Sequence, residues 1–482
     1  MYDLEAGPGA GAAIRETRGE RGGEERVPGL APETFLRAAA SWPRGFWQRG
    51  DRWFAWAGST ARIQEPPGPQ PEESRPGQRE KRPSCGSEQE SPSDPEAGRF
   101  EALRERAAAL LAQPPRQDLS PLRFYGGISF TRSGTGRRSW RGFGSVDFVL
   151  PALEVEGGTA GGLLRAIPPA PGAEVAVHPG EIRERLARGV SEAPSSVPAR
   201  LPKIEAIREP DTLSGWGAAV NRLLEAIRSG EVTKVVLART LEVSLKEAPD
   251  PISLLRALRR SNPRGYVYYM EPEPGRVFLG AAPELLGELT GSRFHATAVA
   301  GTIRRGKDEA EDKALAGRLL TSAKERAEHR IGVSEMRERL ARVANGARVD
   351  GAPRVVRLNR VQHLRTDLTL DLPEPSHILS LVGALHPTAA VCGYPRERAM
   401  RILLDEEPFD RGWYAAPVGW FDERGEGEFA PGLRSAVLQG DRGWLFAGAG
   451  IVEGSVPERE WEETRLKFGP MLQALGVSPT SW

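Results

Sequence analysis

The chain has 482 residues, 39% of them apolar, enough for a sizeable core in one large unit or two or three ordinary domains. Its 66 Lys and Arg almost cancel 65 Asp and Glu, leaving a net charge of +1. That balance excludes a global basic field for nucleic acid or an anionic membrane, so an anionic ligand must be met locally.

Residues 1–29 are rich in Gly, Arg and Glu, lack the apolar run of a signal peptide, and read as a disordered tail. No stretch of about 18 apolar residues offers a membrane span. The two cysteines, Cys85 and Cys392, give neither a disulfide framework nor a metal-ligand spacing, which points to a reducing, cytoplasmic compartment.

The pattern predicts a short helix over 32–40, then aromatic strands at 45–48 and 53–56. Residues 64–98 turn to Pro, Glu, Ser, Gln and Arg, too polar to offset their ordering entropy, and read as a mobile insertion. A helix over 99–111, strands at 124–127 and 143–153, and a Pro- and Ala-rich connection over 167–203 complete an N-terminal part, 30–209.

A denser core follows, 210–478. It has a helix over 216–227, strands at 235–238, 266–270 and 277–280, and one or two helices over 308–342. Strands at 354–370, 412–420, 427–438 and 443–451 precede a final helix over 457–475. Strands in runs, with long helices between groups of them, make the class α+β.

Glu325 and Glu328 are three apart on one predicted helix, Glu460 and Glu463 three apart on another, so each pair shares a face. Two such faces brought together make a four-carboxylate cage for a hard divalent cation. Each pair taken alone also reads as a solvated helix surface, with Lys324–Glu328 and Glu463–Lys467 at i,i+4. Lys234 heads an apolar strand, either as a charged edge cap or as a desolvated base. Glu284, among small and apolar residues, is a candidate acid with a raised pKa.

The glycine turn Gly448-Ala449-Gly450 to Ser455 leads into the last helix and could cradle a carboxylate with its backbone N–H groups. Arg434 and Lys467 are possible carboxylate partners, and the Tyr414 phenol could reach a ligand.

Taken in order, eleven segments resemble the chorismate-utilising enzymes. They are Lys234-Val-Val-Leu-Ala-Arg239, Phe278-Leu-Gly-Ala-Ala-Pro-Glu284, Ala300-Gly-Thr302, Lys324-Glu-Arg-Ala-Glu-His329, His363-Leu364, Leu385-His-Pro-Thr388, Arg411-Gly-Trp-Tyr-Ala415, Gly427-Glu-Phe429, Leu433-Arg434, Ala447-Gly-Ala-Gly-Ile451 and Glu460-Trp-Glu-Glu-Thr464. That family includes anthranilate synthase component I, aminodeoxychorismate synthase component I, salicylate synthase and isochorismate synthase.

The resemblance implies a single large chorismate-binding fold of two stacked antiparallel sheets with helices outside. It implies Mg2+ held by Glu328 and Glu463, with Glu325 and Glu460 alongside through water. Tyr414, Arg434 and the Gly450 backbone would take the enolpyruvyl carboxylate, with Lys467, His363, Gly301 and Thr302 lining the pocket.

Within the family, Lys234 stands where ammonia users carry a neutral residue, and Ala300 where aminodeoxychorismate enzymes carry a nucleophilic lysine. The loop with His386 and Ala390 resembles the isochorismate synthase version. These positions imply water as nucleophile, Lys234 as base, Glu284 as acid and no glutaminase partner. Salicylate synthase and anthranilate synthase component I are the alternatives. The product's use, in menaquinone, siderophore or salicylate formation, stays open.

Overall fold

The computed structural model describes residues 24–477 except 40, 67–96, 112–119, 133–137, 160, 168–183, 187–201, 344–347, 350–351 and 359. Most of the predicted insertion and of the 167–203 connection lies outside the described residues.

Two antiparallel sheets dominate. A twelve-stranded sheet runs in spatial order Glu24–Val27, Gly161–Ala166, Leu153–Gly158, Arg52–Ala57, Arg44–Arg49, Tyr266–Glu273, Arg276–Ala282, Ser435–Gln439, Arg442–Ile451, Lys234–Leu245 and Gly393–Tyr394, with Ile204–Arg208 also on Lys234–Leu245. A ten-stranded sheet runs Arg348–Val349, Val361–Asp371, Arg293–Arg304, Gly287–Thr290, Gly427–Pro431, Pro417–Asp422, Arg123–Ile128, Val146–Leu150 and Ala61–Glu65, with Arg354–Arg357 also on Val361–Asp371.

Both sheets draw strands from before and after residue 210, so the two predicted parts form one unit.

The two-residue period of each strand sorts its side chains into layers. Trp47, Phe54 and Trp56 of the larger sheet meet Tyr125 and Trp420 of the smaller one, with Trp56 stacked on Tyr125 at 4.1 Å between ring centres. The intervening Phe46, Trp53 and Ala55 face outward, in a core shared with the helices Pro32–Ala38, Pro251–Ser261 and Pro457–Ala474. Phe124, Phe148 and Phe429 of the smaller sheet pack outward with the helices Ala97–Leu110, Ala323–Val343 and Ile378–Leu385. The result is helices, sheet, sheet, helices, the α+β architecture expected.

Several expected elements are corrected. The tail does not extend to residue 29, because Glu24–Val27 pairs with Gly162–Arg165 as an edge strand. Residues 64–66 and 97–98, at the two ends of the predicted insertion, are described and ordered, ending one strand and opening a helix. The 143–153 strand is two strands in different sheets, since the chain crosses over at Pro151.

Residues 412–416 form a turn with Ala415 at φ 61°, and the strand starts only at Pro417. The 427–438 strand also splits: Gly427–Pro431 belongs to the smaller sheet, Ser435–Gln439 to the larger, and Arg434 sits between them at φ 52°. The 308–342 segment is two helices, Glu309–Thr321 and Ala323–Val343, separated by an extended Ser322. Among the described residues no helix is long and apolar enough to cross a membrane.

Candidate active site

The cleft forms where the chain passes between the two sheets. One passage, 283–286, leads from Arg276–Ala282 to Gly287–Thr290 and carries Glu284; the other, 432–434, carries Arg434. The strand Arg293–Arg304 contributes a bulge at Gly301, φ 71°, where its register with Val361–Asp371 shifts. A bulge and a left-handed non-glycine residue re-aim side chains, and such irregularities cluster at functional sites.

The walls include Glu284, Gly301, Thr302, Glu328, His363, Ala390, Tyr414, Arg434, Gly450, Glu463 and Lys467, so eleven of the expected site residues come together. The cleft opens to solvent and, counting its mouth, holds about 680 Å3 of empty space.

Of the other four, Lys234 stands directly behind this wall. It is 1% exposed, and its Nζ lies 3.0 Å from Glu328 Oε1. Glu325 accepts the Thr302 backbone N–H at 3.0 Å. Glu460 is buried against Lys324. His386 departs from expectation. Its ring is buried between Phe100 and Phe130, outside the cleft wall, which the chain joins further along at Ala390 and Val391.

Sequence reasoning missed the apolar walls: Pro283, Val299, Leu433, Phe446 and Ala447. Small and apolar residues in buried strands carry no signal that separates a cleft wall from core.

The polar groups form a defined set of donors. Arg434 Nη2 donates to His363 Nε2 at 3.1 Å, so that nitrogen must be the bare one of a neutral ring. His363 Nδ1 then carries the proton and donates to the Gly301 carbonyl at 3.0 Å. Burial, with Arg434 and Lys467 nearby, pulls the His363 pKa down to about 3, so the ring stays neutral near pH 7.

Burial pulls Arg434 down to about 10, leaving its guanidinium charged. It pushes the Tyr414 phenol up to about 12, leaving a hydroxyl donor stacked on Phe446. Arg434, Lys467 and Tyr414 are thus three donors facing one cleft, a setting for a carboxylate.

Glu284 is 4% exposed and accepts one backbone N–H, from Val299 at 3.3 Å. Burial raises it to about 8, against the opposing pull of that N–H, Lys234 and Arg365. At neutral pH it is a carboxylic acid with a proton to give.

The four carboxylates sit on two helices, Ala323–Val343 and Pro457–Ala474. Glu325 is raised to about 7 by burial and by repulsion from Glu328 and Glu463, with Lys324 opposing. Glu460 is raised by burial and by Glu463. Despite burial, Lys467 and other cations hold Glu463 below the usual carboxylate range; Lys467 lies 2.7 Å away.

Four hard oxygen donors that repel one another have the chemistry a divalent cation relieves. Each is near a lysine instead: Lys234 by Glu328, Lys467 by Glu463, and Lys324 by Glu460 and Glu325. Among the described residues no three acidic, His or Cys side chains gather tightly enough to hold an ion as placed.

A glycine permits this approach. A Cβ on Gly450 would lie 2.2 Å from Glu328 Oε1 and 3.1 Å from Lys234 Cε. Gly450→Ala is therefore expected to lower Tm by several degrees, by forcing apart a buried ion pair. Gly217→Ala, in the helix Leu213–Arg228 with its nearest neighbour at 3.8 Å, should leave Tm unchanged or raised. Equal shifts in the two melting curves would show that the close approach has no energetic weight.

The family description "Chorismate binding enzyme" matches residues 74–476. The chain belongs to the chorismate-binding enzymes.

It is 35% identical over 383 residues to the salicylate biosynthesis isochorismate synthase of Pseudomonas aeruginosa, covering 79% of each chain. It is 34% identical over 357 residues to the isochorismate synthase MenF of Bacillus subtilis, covering 73% of this chain and 74% of the other. The solved structure of the menaquinone-specific isochorismate synthase MenF of Escherichia coli superposes with a TM-score of 0.73 at 25% identity, covering 94% of each chain. This chorismate-binding chain thus shares its fold and most of its length with these three enzymes.

Proposed function

We propose that this chain is an isochorismate synthase, a Mg2+-dependent isomerase that adds water at ring position two of chorismate as the hydroxyl at position four departs. One observation carries the mechanism: Glu284 lines the cleft as a buried carboxyl, 4% exposed with a single backbone N–H from Val299 as partner, and that burial pushes its pKa up to about 8. An acid of that kind suits protonation of a departing hydroxyl near neutral pH.

Lys234 is the base that takes a proton from the attacking water. Glu284 gives its proton to the leaving oxygen, so one water enters and one leaves. Arg434, Tyr414 and the Gly450 backbone N–H hold the enolpyruvyl carboxylate, with neutral His363 fixing the direction of the Arg434 guanidinium. Glu328 and Glu463 would hold Mg2+, with Glu325 and Glu460 alongside through water. When bound, the cation supplies neutralisation of the ring carboxylate and of charge developing there. A water nucleophile needs no glutaminase subunit.

Incubation of the purified protein with chorismate and Mg2+, followed by chromatography, tests the proposal. The expected product is isochorismate, with an equilibrium near unity, since one hydroxyl replaces another. Ammonium salts should yield little aminated product. Accumulation of salicylate and pyruvate would instead assign the chain to salicylate synthesis, and diversion of chorismate into anthranilate would assign it to amination.

A further inference from the structure

The proposed reaction gives a role to Lys234 but none to Lys324. Its position is physically unusual. Lys324 is the second residue of the helix Ala323–Val343, where the helix dipole disfavours a cation. It is only 27% exposed, and its Nζ lies 2.7 Å from Glu460 Oε1 on the other helix and 3.6 Å from Glu325 Oε1 on its own.

Glu460 in turn is 1% exposed, and a buried carboxylate is costly without a compensating charge. Three lysines are thus set against four carboxylates, and Lys324 is the one that touches two of them.

We infer that Lys324 is the chain's own counter-ion for the carboxylate cage: it bridges Glu325 and Glu460, compensates them when no divalent cation is bound, and competes with that cation for them. The inference rests on the Mg2+ site proposed above. It adds that cation affinity is limited by an internal ammonium group, not by the carboxylates alone. The same pairing accounts for the carboxylates being spread among lysines and not gathered around one point.

Two consequences have opposite signs. Removing the ammonium should make the metal-free protein less stable, because Glu460 loses its charge partner. It should also make the cage bind a cation more tightly, because the net negative charge rises and a competitor is gone.

Mn2+ is the probe, added to the full-length protein without substrate and followed by the loss of its free-ion spin-resonance signal, with melting curves in EDTA and in Mn2+. Lys324→Met should lower Tm in EDTA by several degrees and lower the Kd for Mn2+ by about tenfold or more, as expected for removing one charge a few ångströms from the ion. Lys324→Arg, which keeps the charge, should restore both quantities most of the way. Should Lys324→Met not fold, Lys324→Gln carries the same expectation, because its amide can still donate to Glu460 without the charge.

A Kd unchanged in the uncharged variants would overturn the counter-ion role and leave the cation site standing. Absence of Mn2+ uptake by the parent, or a Kd for Mn2+ unchanged in Glu463→Gln, would overturn both together.

Discussion

Glu284→Gln is expected to lower turnover of chorismate by about a hundredfold or more, the usual scale for removing a positioned acid. Gln fills the same space and can still accept the Val299 N–H, so the fold and substrate affinity should survive. The pH profile gives a second reading. Burial holds Glu284 near 8, and the reaction needs its protonated form, so the acid is fully available below that pH. The parent's kcat/KM should fall as pH rises through about 8, and Glu284→Gln should lose that alkaline limb. Lys234→Gln should fail to a similar extent from the base side, and the two losses should not multiply if both groups act in one step. An alkaline limb that persists in Glu284→Gln would assign the titration to another group and remove the acid role.

The layered fold was legible wherever aromatic and small residues alternate. In Arg44–Arg49 and Arg52–Ala57, Trp47, Phe54 and Trp56 mark one face while Phe46, Trp53 and Ala55 mark the other. The period fails where the chain changes sheets. Residues 427–438 read as one strand because their composition is continuous, yet the backbone turns at Arg434, and no hydrophobic pattern encodes a positive φ. The strand Arg293–Arg304 escaped notice for another reason. Its alternation, Phe294, Ala296 and Ala298 against His295 and Thr297, rests mostly on alanines and is a weak signal, and the strand is fixed by neighbours on both sides, Gly287–Thr290 and Val361–Asp371.

At the site, the order of motifs brought eleven expected residues to one cleft, but it could not show how charges pair across it. Lys324 was matched to Glu328 by helical spacing, whereas its partner is Glu460, 136 residues away on another helix. His386 shows the opposite failure. It lies in a motif whose neighbours reach the cleft, but its own side chain fills an aromatic gap between Phe100 and Phe130.

Glu463→Gln is expected to reduce chorismate turnover at least a thousandfold at millimolar Mg2+ while leaving the melting temperature within a few degrees, if the cage holds the cation as proposed. The expectation is cleaner here than at Glu328. Glu463 pairs with Lys467, whose Nζ also donates to the Gly448 carbonyl at 2.8 Å, so the lysine keeps a partner when the charge is removed. Glu328 is the ion-pair partner of fully buried Lys234, so Glu328→Gln removes a candidate ligand and changes the surroundings of the proposed base at once. Its activity should fall at least as far, but raised Mg2+ should not rescue it, whereas Glu463→Gln should recover in part as Mg2+ increases. Turnover by Glu463→Gln at the parental rate, with the parental dependence on Mg2+, would mean that the cation is held elsewhere and that the Lys467–Glu463 pair serves only to fix the last helix against the strand Arg442–Ile451.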